Sequence, residues 1–132
     1  MANNLPKYRR GSAFRDGRSV CALGSGRSSS VSDGDTHTFT FTIKEACHLL
    51  RLIVSADSGA GVEDLAGITI SEITHNNDSL LNGDAVTAQM FAANAIGSPT
   101  LGQYANVNDS LVVKIVNNSG AAAFFNATFT VI

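Results

Sequence analysis

The chain has 132 residues and a mass of 13.7 kDa, enough to bury roughly two thirds of its unfolded surface around one core. Apolar residues make up 44%, charged residues only 15%, Trp is absent and the net charge is −2, which excludes a highly charged disordered chain, a collagen and a disulfide-dense miniprotein. No apolar run approaches the ~18 residues of a membrane-spanning helix, and the leading stretch MANNLPKYRRGSAFRDGR has cations without an apolar run, so it does not read as a secretory signal.

Charge is divided along the chain. Residues 1–27 hold Lys7, Arg9, Arg10, Arg15, Arg18 and Arg27 against Asp16 alone, a net of +5, and residues 28–132 hold three cations and ten acids, a net of −7. The first 35 residues also contain Gly11, Gly17, Gly24, Gly26, Gly34 and the run Ser28-Ser29-Ser30, with scattered apolar residues at Leu5, Tyr8, Phe14, Val20 and Leu23. Such a segment buries too little surface to offset the entropy of ordering it. Residues 1–35 are therefore expected to form a flexible basic arm, and residues 36–132 a folded body.

After the Asp33-Gly34-Asp35 turn signal, Thr36 to Ile43 alternates strictly, with Phe39, Phe41 and Ile43 on one face and Thr38, Thr40 and Thr42 on the other, a strand pattern. Cys47 to Ala56 reads as a central strand with Leu50, Leu52 and Val54 on one face and Leu49, Arg51 and Ile53 on the other. In the stretch 67–74, the skipped step between Ile70 and Ile73 predicts a bulge. The Asn82-Gly83 pair is a type I′ hairpin signal joining a short piece at 80–82 to a strand over 85–92, although AVTAQMFAANA also fits one short helix. Residues 93–105 read as a loop with Gly97, Pro99 and Gly102, with a possible strand at 102–106. Two alternating runs, Leu111 to Val116 and Phe125 to Val131, flank the Asn117–Gly120 turn and predict a C-terminal β-hairpin. Strands follow one another without long helices between them, so the expected fold is all-β, a small antiparallel β-sandwich of jelly-roll type.

Residues with chemical potential are dispersed. His37, His48 and His75 do not share a metal-ligand spacing. Cys21 and Cys47 are read as reduced thiols, Cys47 as a small buried hydrophobe. Asp33-Gly34-Asp35 reads as a turn rather than a calcium loop, and Gly24-Ser25-Gly26 lacks the lysine and helix of a phosphate cradle. No nucleophile elbow and no acid and base in a nominable pair are present, so the chain is read as non-enzymatic, with no cofactor, no metal and no small-molecule substrate.

Residues 36–132 carry only three cations and eight acids, so the exposed faces must be largely Thr, Ser, Asn and Ala. Such surfaces lose little side-chain entropy on contact and carry few ions to desolvate, which suits a protein packed among neighbours. The arm residues Lys7, Tyr8, Arg9, Arg10, Phe14, Arg15, Arg18 and Arg27 are the candidate partner-binding set. Three partners fit them: nucleic acid, with Tyr8 and Phe14 as stacking groups; anionic lipid; or the acidic body of an adjacent subunit, the preferred reading because it uses charges already in the chain.

The basic Gly/Ser-rich arm, the short all-β body and the closing stretch SLVVKIVNNSGAAAFFNATFTVI resemble small single-jelly-roll structural proteins of bacteriophage capsids, either vertex (penton) or decoration proteins. The resemblance implies a virion component assembled in the host cytoplasm as a cyclic homo-oligomer, a pentamer at a vertex or a trimer on the shell, with arms contacting neighbouring capsid subunits. It carries no residue motif, so no site is transferred, and the body is short enough that a reduced sandwich fits as well. The competing reading is a carbohydrate- or receptor-binding sandwich of a phage fibre or cell surface, with its site in loops 57–66 and 93–105 and at Tyr104. The scarcity of aromatic platforms lowers it.

Overall fold

The computed structural model describes residues 21–57, 65–81, 83–95 and 97–132. Its strands are β1 (Cys21–Arg27), β2 (Thr36–Thr42), β3 (Cys47–Asp57), β4 (Ile68–His75), β5 (Asp78–Ser79), β6 (Val86–Thr87), β7 (Gln103–Ala105), β8 (Ser110–Asn117) and β9 (Phe124–Val131), with one 3-10 turn at Ala88–Phe91.

The pairing order defines the architecture. β1 pairs with β9, β2 with β8, β3 with β7, and β4 with β5 and β6, all antiparallel. First strand meets last and each next strand meets the one before, so the chain is one long ribbon folded at a closed end. That closed end is Asn76-Asn77, where φ is 50° and 72°, the left-handed pair of a type I′ turn, which Asn tolerates better than other side chains. Rolling the ribbon brings β9 beside β3 and β8 beside β4. Two sheets result, β1-β9-β3-β7 and β2-β8-β4-β5, with β6 also on β4, and their winding is that of a jelly roll.

Period-two patterning positions the core between the sheets. Phe39, Phe41 and Ile43 from one sheet meet Leu52, Phe125 and Phe129 from the other, all buried, and the Phe41 and Phe129 rings meet edge to face at 5.0 Å. Fully burying each such side chain contributes about 1.5–3 kcal/mol. The turn Ala88–Phe91 closes the side of the sandwich between β3 and β4: Thr87 Oγ1 accepts from the Gln89 N–H at 3.3 Å, and Ala88 and Phe91 are buried. Both readings of the 85–92 stretch are therefore partly right, as a two-residue strand followed by one tight turn.

Several expectations are corrected. Residues 21–35, expected to lie in the arm, belong to the folded body, because β1 needs few apolar residues to serve as an edge. Leu23 packs on the core, and Val31 is buried and bridges to Ala123. The Ser28 N–H donates to Phe125 O, and Ser28 Oγ accepts from Phe125 N–H, each at 2.8 Å. The terminal hairpin is absent: β8 and β9 lie in different sheets. Alternation fixes which face of each strand is apolar but not which neighbour it pairs with. Asn82-Gly83 does not join paired strands either, since β5 and β6 both pair with β4; Asn82 lies outside the described residues.

The bulge expected in β4 is present between Ile70 and Glu72. A second, unforeseen one lies between Leu49 and Arg51 of β3. Its extra residue turns Leu49 inward with Leu52 and Val54, all fully buried, and leaves Leu50 half-buried, the reverse of the faces the plain alternation assigns.

Candidate functional site

Of the candidate partner-binding residues, Lys7, Tyr8, Arg9, Arg10, Phe14, Arg15 and Arg18 lie outside the described residues. Arg27 is at the end of β1, and its guanidinium bonds Asp57 Oδ1 at the end of β3 and lies 4.1 Å from the centroid of the Phe124 ring. β1 and β3 both flank β9, so the pair reaches across that strand's first residue. Arg27 thus stands on a strand of the described fold and makes its ion pair there. In loop 57–66, residues 58–64 are outside the described residues. Loop 93–105 ends in β7, where Tyr104 is 52% exposed and meets the exposed His48 ring edge to face at 4.9 Å.

The outer faces of both sheets are nearly free of charge. On the sheet containing β2, Thr36, Thr38, Thr40 and Thr42 stand beside Val116, Lys114, Val112 and Ser110 of β8. Thr69 and Thr74 continue this face on β4. Lys114 and Glu72 form its ion pair at 3.5 Å, with both side chains partly exposed. Pairs of this kind contribute about 0.2–1 kcal/mol. The other sheet shows Asn126, Thr128 and Thr130 of β9 beside Ser55, Ile53 and Arg51 of β3, and the Arg51 guanidinium reaches Ala92 O at 3.4 Å. Faces of Thr, Ser, Asn and Val suit contact with another protein surface, because little must be desolvated to bring them together.

The two ends of the sandwich are built differently. One end holds the crossing of the 28–35 strap over the 118–123 link. There the fully buried Asn117 donates from Nδ2 to Val31 O and Ala121 O, each at 2.8 Å, and its Oδ1 accepts from the Ser119 N–H at 3.0 Å. At the opposite end His75 closes β4. Its Nε2–H donates to Asp109 Oδ2 at 2.7 Å, and its Nδ1 faces Gln103 Oε1 at 3.5 Å. Hydrogen bonds from the Asn76 side chain, the Asn106 N–H and His75 hold the Asp109 carboxyl at a pKa of about 2, below its ordinary 3.8. Sequence reading missed this cluster, because His75 and Asp109 sit 34 residues apart, one at the end of β4 and one in the loop before β8, and nothing local marks them as neighbours.

Chemically the cluster is a brace. Each imidazole nitrogen faces a side-chain oxygen, Nε2 that of Asp109 and Nδ1 that of Gln103, and so ties the end of β4 to β7 and to the residue before β8. Beside it a cleft of about 430 Å³ opens between β5, β6 and the loop leading to β7, lined by Ile73, Leu80, Leu81, Met90, Phe91 and Leu101 with Ser79 and Gln103 at its polar side. Cys47 is a free, half-buried thiol packed on the core, and burial, then Glu45, push its pKa up, which keeps it protonated. Among the described residues no group of three His, Cys, Asp or Glu side chains converges as a metal site. No protein-family model matches the chain, and no curated protein and no solved structure matches it.

Proposed function

We propose that this chain is a non-enzymatic structural component of a virus particle, a capsid vertex or decoration subunit, held to neighbouring subunits through its basic N-terminal segment. The observation that carries this reading is the pair of charge-poor outer faces on a jelly roll. A fold shared by capsid, lectin and cupin domains does not assign a function by itself, but faces of threonine and valine whose ions are mostly paired internally fit burial between subunits. Charge distribution supports it further. Residues 1–20 carry five cations and one acid, a net of +4, and residues 21–132 carry four cations and ten acids, a net of −6. The first described strand, β1, is a sheet edge whose Cys21 stands opposite Val131 of β9.

Co-expression with the particle's shell proteins, followed by sedimentation, tests this. The full chain is expected to travel with the particles, and a chain lacking residues 2–20, which spares β1, to remain at the top of the gradient. Equal incorporation of both would remove the anchoring role, and no incorporation of either would remove the virion reading. One observation favours a second reading, recognition of a glycan or receptor: the Tyr104 ring stands exposed beside His48. Glycan-array binding abolished by Tyr104→Ala would put that reading first.

A further inference from the structure

The lateral edges of the two sheets are not alike. β1 is interrupted by a register shift between Gly24 and Arg27, with Gly26 at φ 83°. β7 has three residues, and the far side of β4 is divided between β5 and β6, of two residues each. Short, bulged or divided edges resist the addition of a foreign strand. β2 has none of these defences. Its seven residues, THTFTFT, pair with β8 without a register shift and include no proline and no Lys, Arg, Asp or Glu.

Hydrogen-bond phase shows where its backbone points. The Ile43 N–H donates to Asp109 O and the Asn117 N–H to Asp35 O, each at 2.9 Å. On the other side of β8 the phase is opposite, with the Asn76 N–H donating to Ser110 O and the Asn118 N–H to Gly67 O. Antiparallel ladders alternate their bonds residue by residue, so His37, Phe39 and Phe41 direct theirs to β8. Thr36, Thr38, Thr40 and Thr42 direct N–H and C=O away from it. All four are exposed, and no backbone partner for them exists among the described residues.

We propose that β2 is a pairing edge and that its occupant is β2 of a second copy of this chain, antiparallel about a two-fold axis, joining the two β2-containing sheets into one. The strand is self-complementary. Its alternation of threonine and ring residues reads the same in reverse, so setting Thr38 opposite Thr40 keeps threonines on the outer face and rings on the inner one. Four outward-facing residues on each copy then form about eight main-chain hydrogen bonds. Charge selects the same partner: the cations of residues 7–18 find no acid on β2, while two copies of it bring no like charges together. Such a contact is isologous and closes as a dimer. The inference goes beyond the virion reading and does not rest on it, since it concerns the isolated chain and is measured without particles.

The test is analytical ultracentrifugation of the full chain over a wide concentration range, with hydrogen exchange read at the amides of Thr36, Thr38, Thr40 and Thr42. A concentration-dependent dimer is expected in which these four amides slow by about tenfold or more. In the double variant Thr38→Lys, Thr40→Lys, which leaves every bond to β8 in place, dimerisation should weaken by about tenfold or more with an unchanged monomer melting temperature. Thr40→Pro, which deletes one outward N–H, should repeat the loss and covers the case in which the lysines disturb folding. A chain that stays monomeric throughout overturns the proposal, as does a dimer indifferent to these variants. Slow threonine amides in a monomer that become fast on removal of residues 2–19 would also overturn it, by giving the edge to the chain's own leading segment.

Discussion

The two ends of the sandwich solve one problem with opposite chemistry. Each must tie loops from both sheets together, and each contains polar backbone that the fold removes from water. Where the 28–35 strap crosses the 118–123 link, the tie is neutral and buried: Asn117, at 0% exposure, holds two carbonyls and an N–H. At the other end the tie is His75 to Asp109, with side chains 12% and 15% exposed. A buried amide that makes three hydrogen bonds loses all three at once when removed, whereas groups at a partly wet ionic tie regain water. Stability should therefore be concentrated at the neutral end and pH sensitivity at the ionic one.

The largest loss of stability is expected in Asn117→Ala. Its hydrogen bonds to Val31 O, Ala121 O and the Ser119 N–H are lost together, although Val31 O keeps the Ala123 N–H and Ala121 O keeps the Ser119 hydroxyl, and at about 1 kcal/mol per bond the expected cost is about 3 kcal/mol, read as a lower midpoint in urea unfolding. A loss below that at His75→Ala would put the weight at the wrong end. Next in size is Gly67→Ala, in the turn that enters β4 beside the same link. Gly67 has φ +74°, and an added Cβ would meet Ser119 Cα at 2.8 Å and Asn118 O at 2.9 Å. Both are backbone atoms, so the link itself must move, and about 2 kcal/mol of destabilisation is expected, measured by thermal unfolding.

These same corners mark where the sequence could and could not be read. The inward faces of β2, β8 and β9 and the bulge in β4 were legible because burial on one side of a strand writes itself as period two and a bulge as a skipped step. Partner identity was not. Leu111, Val113 and Ile115 are followed in phase by Asn117, the fourth inward position of β8, so the residue that reads as the first of a hairpin turn is the anchor of a crossing between sheets. β1 was hidden for a related reason. An edge strand packs through Leu23 and a few backbone bonds, and CALGSGR looks like a linker because glycine and serine carry no pattern. For the candidate interaction residues, only Arg27 falls in the described fold, and its pairing with Asp57 depends on β1 and β3 both flanking β9, a fact of topology that no spacing encodes. The His75–Asp109 tie is likewise invisible, being made where the end of β4 meets the β7–β8 turn.

Asp109 sharpens the comparison through pH. Its carboxyl titrates at about 2 in the folded chain against an ordinary 3.8. Because the folded value is the lower one, the carboxylate's contribution is complete above roughly pH 4 and is lost as pH falls through about 2. Unfolding midpoints recorded between pH 5 and pH 2 should therefore fall less steeply in Asp109→Asn than in the parent chain. Asn117→Ala should shift the whole curve downward without changing its slope, because no titrating group is removed. Equal slopes for Asp109→Asn and the parent would show that the ionic end has no part in acid sensitivity.

The smallest effect is expected at Arg27. Its side chain is 47% exposed and that of Asp57 19%, and although the guanidinium also covers Phe124, an exposed ion pair trades Coulomb energy against side-chain freedom and screening by salt. Arg27→Gln should cost about 0.5 kcal/mol, and less in 1 M salt, where charges beyond about 3 Å are screened. Arg27→Gln and Arg27→Ala both remove the guanidinium that lies over the Phe124 ring, so in each a part of the loss should survive added salt. A loss at Arg27 rivalling that of Asn117→Ala would mean that charge, not the buried amide, holds the strap end of the sandwich.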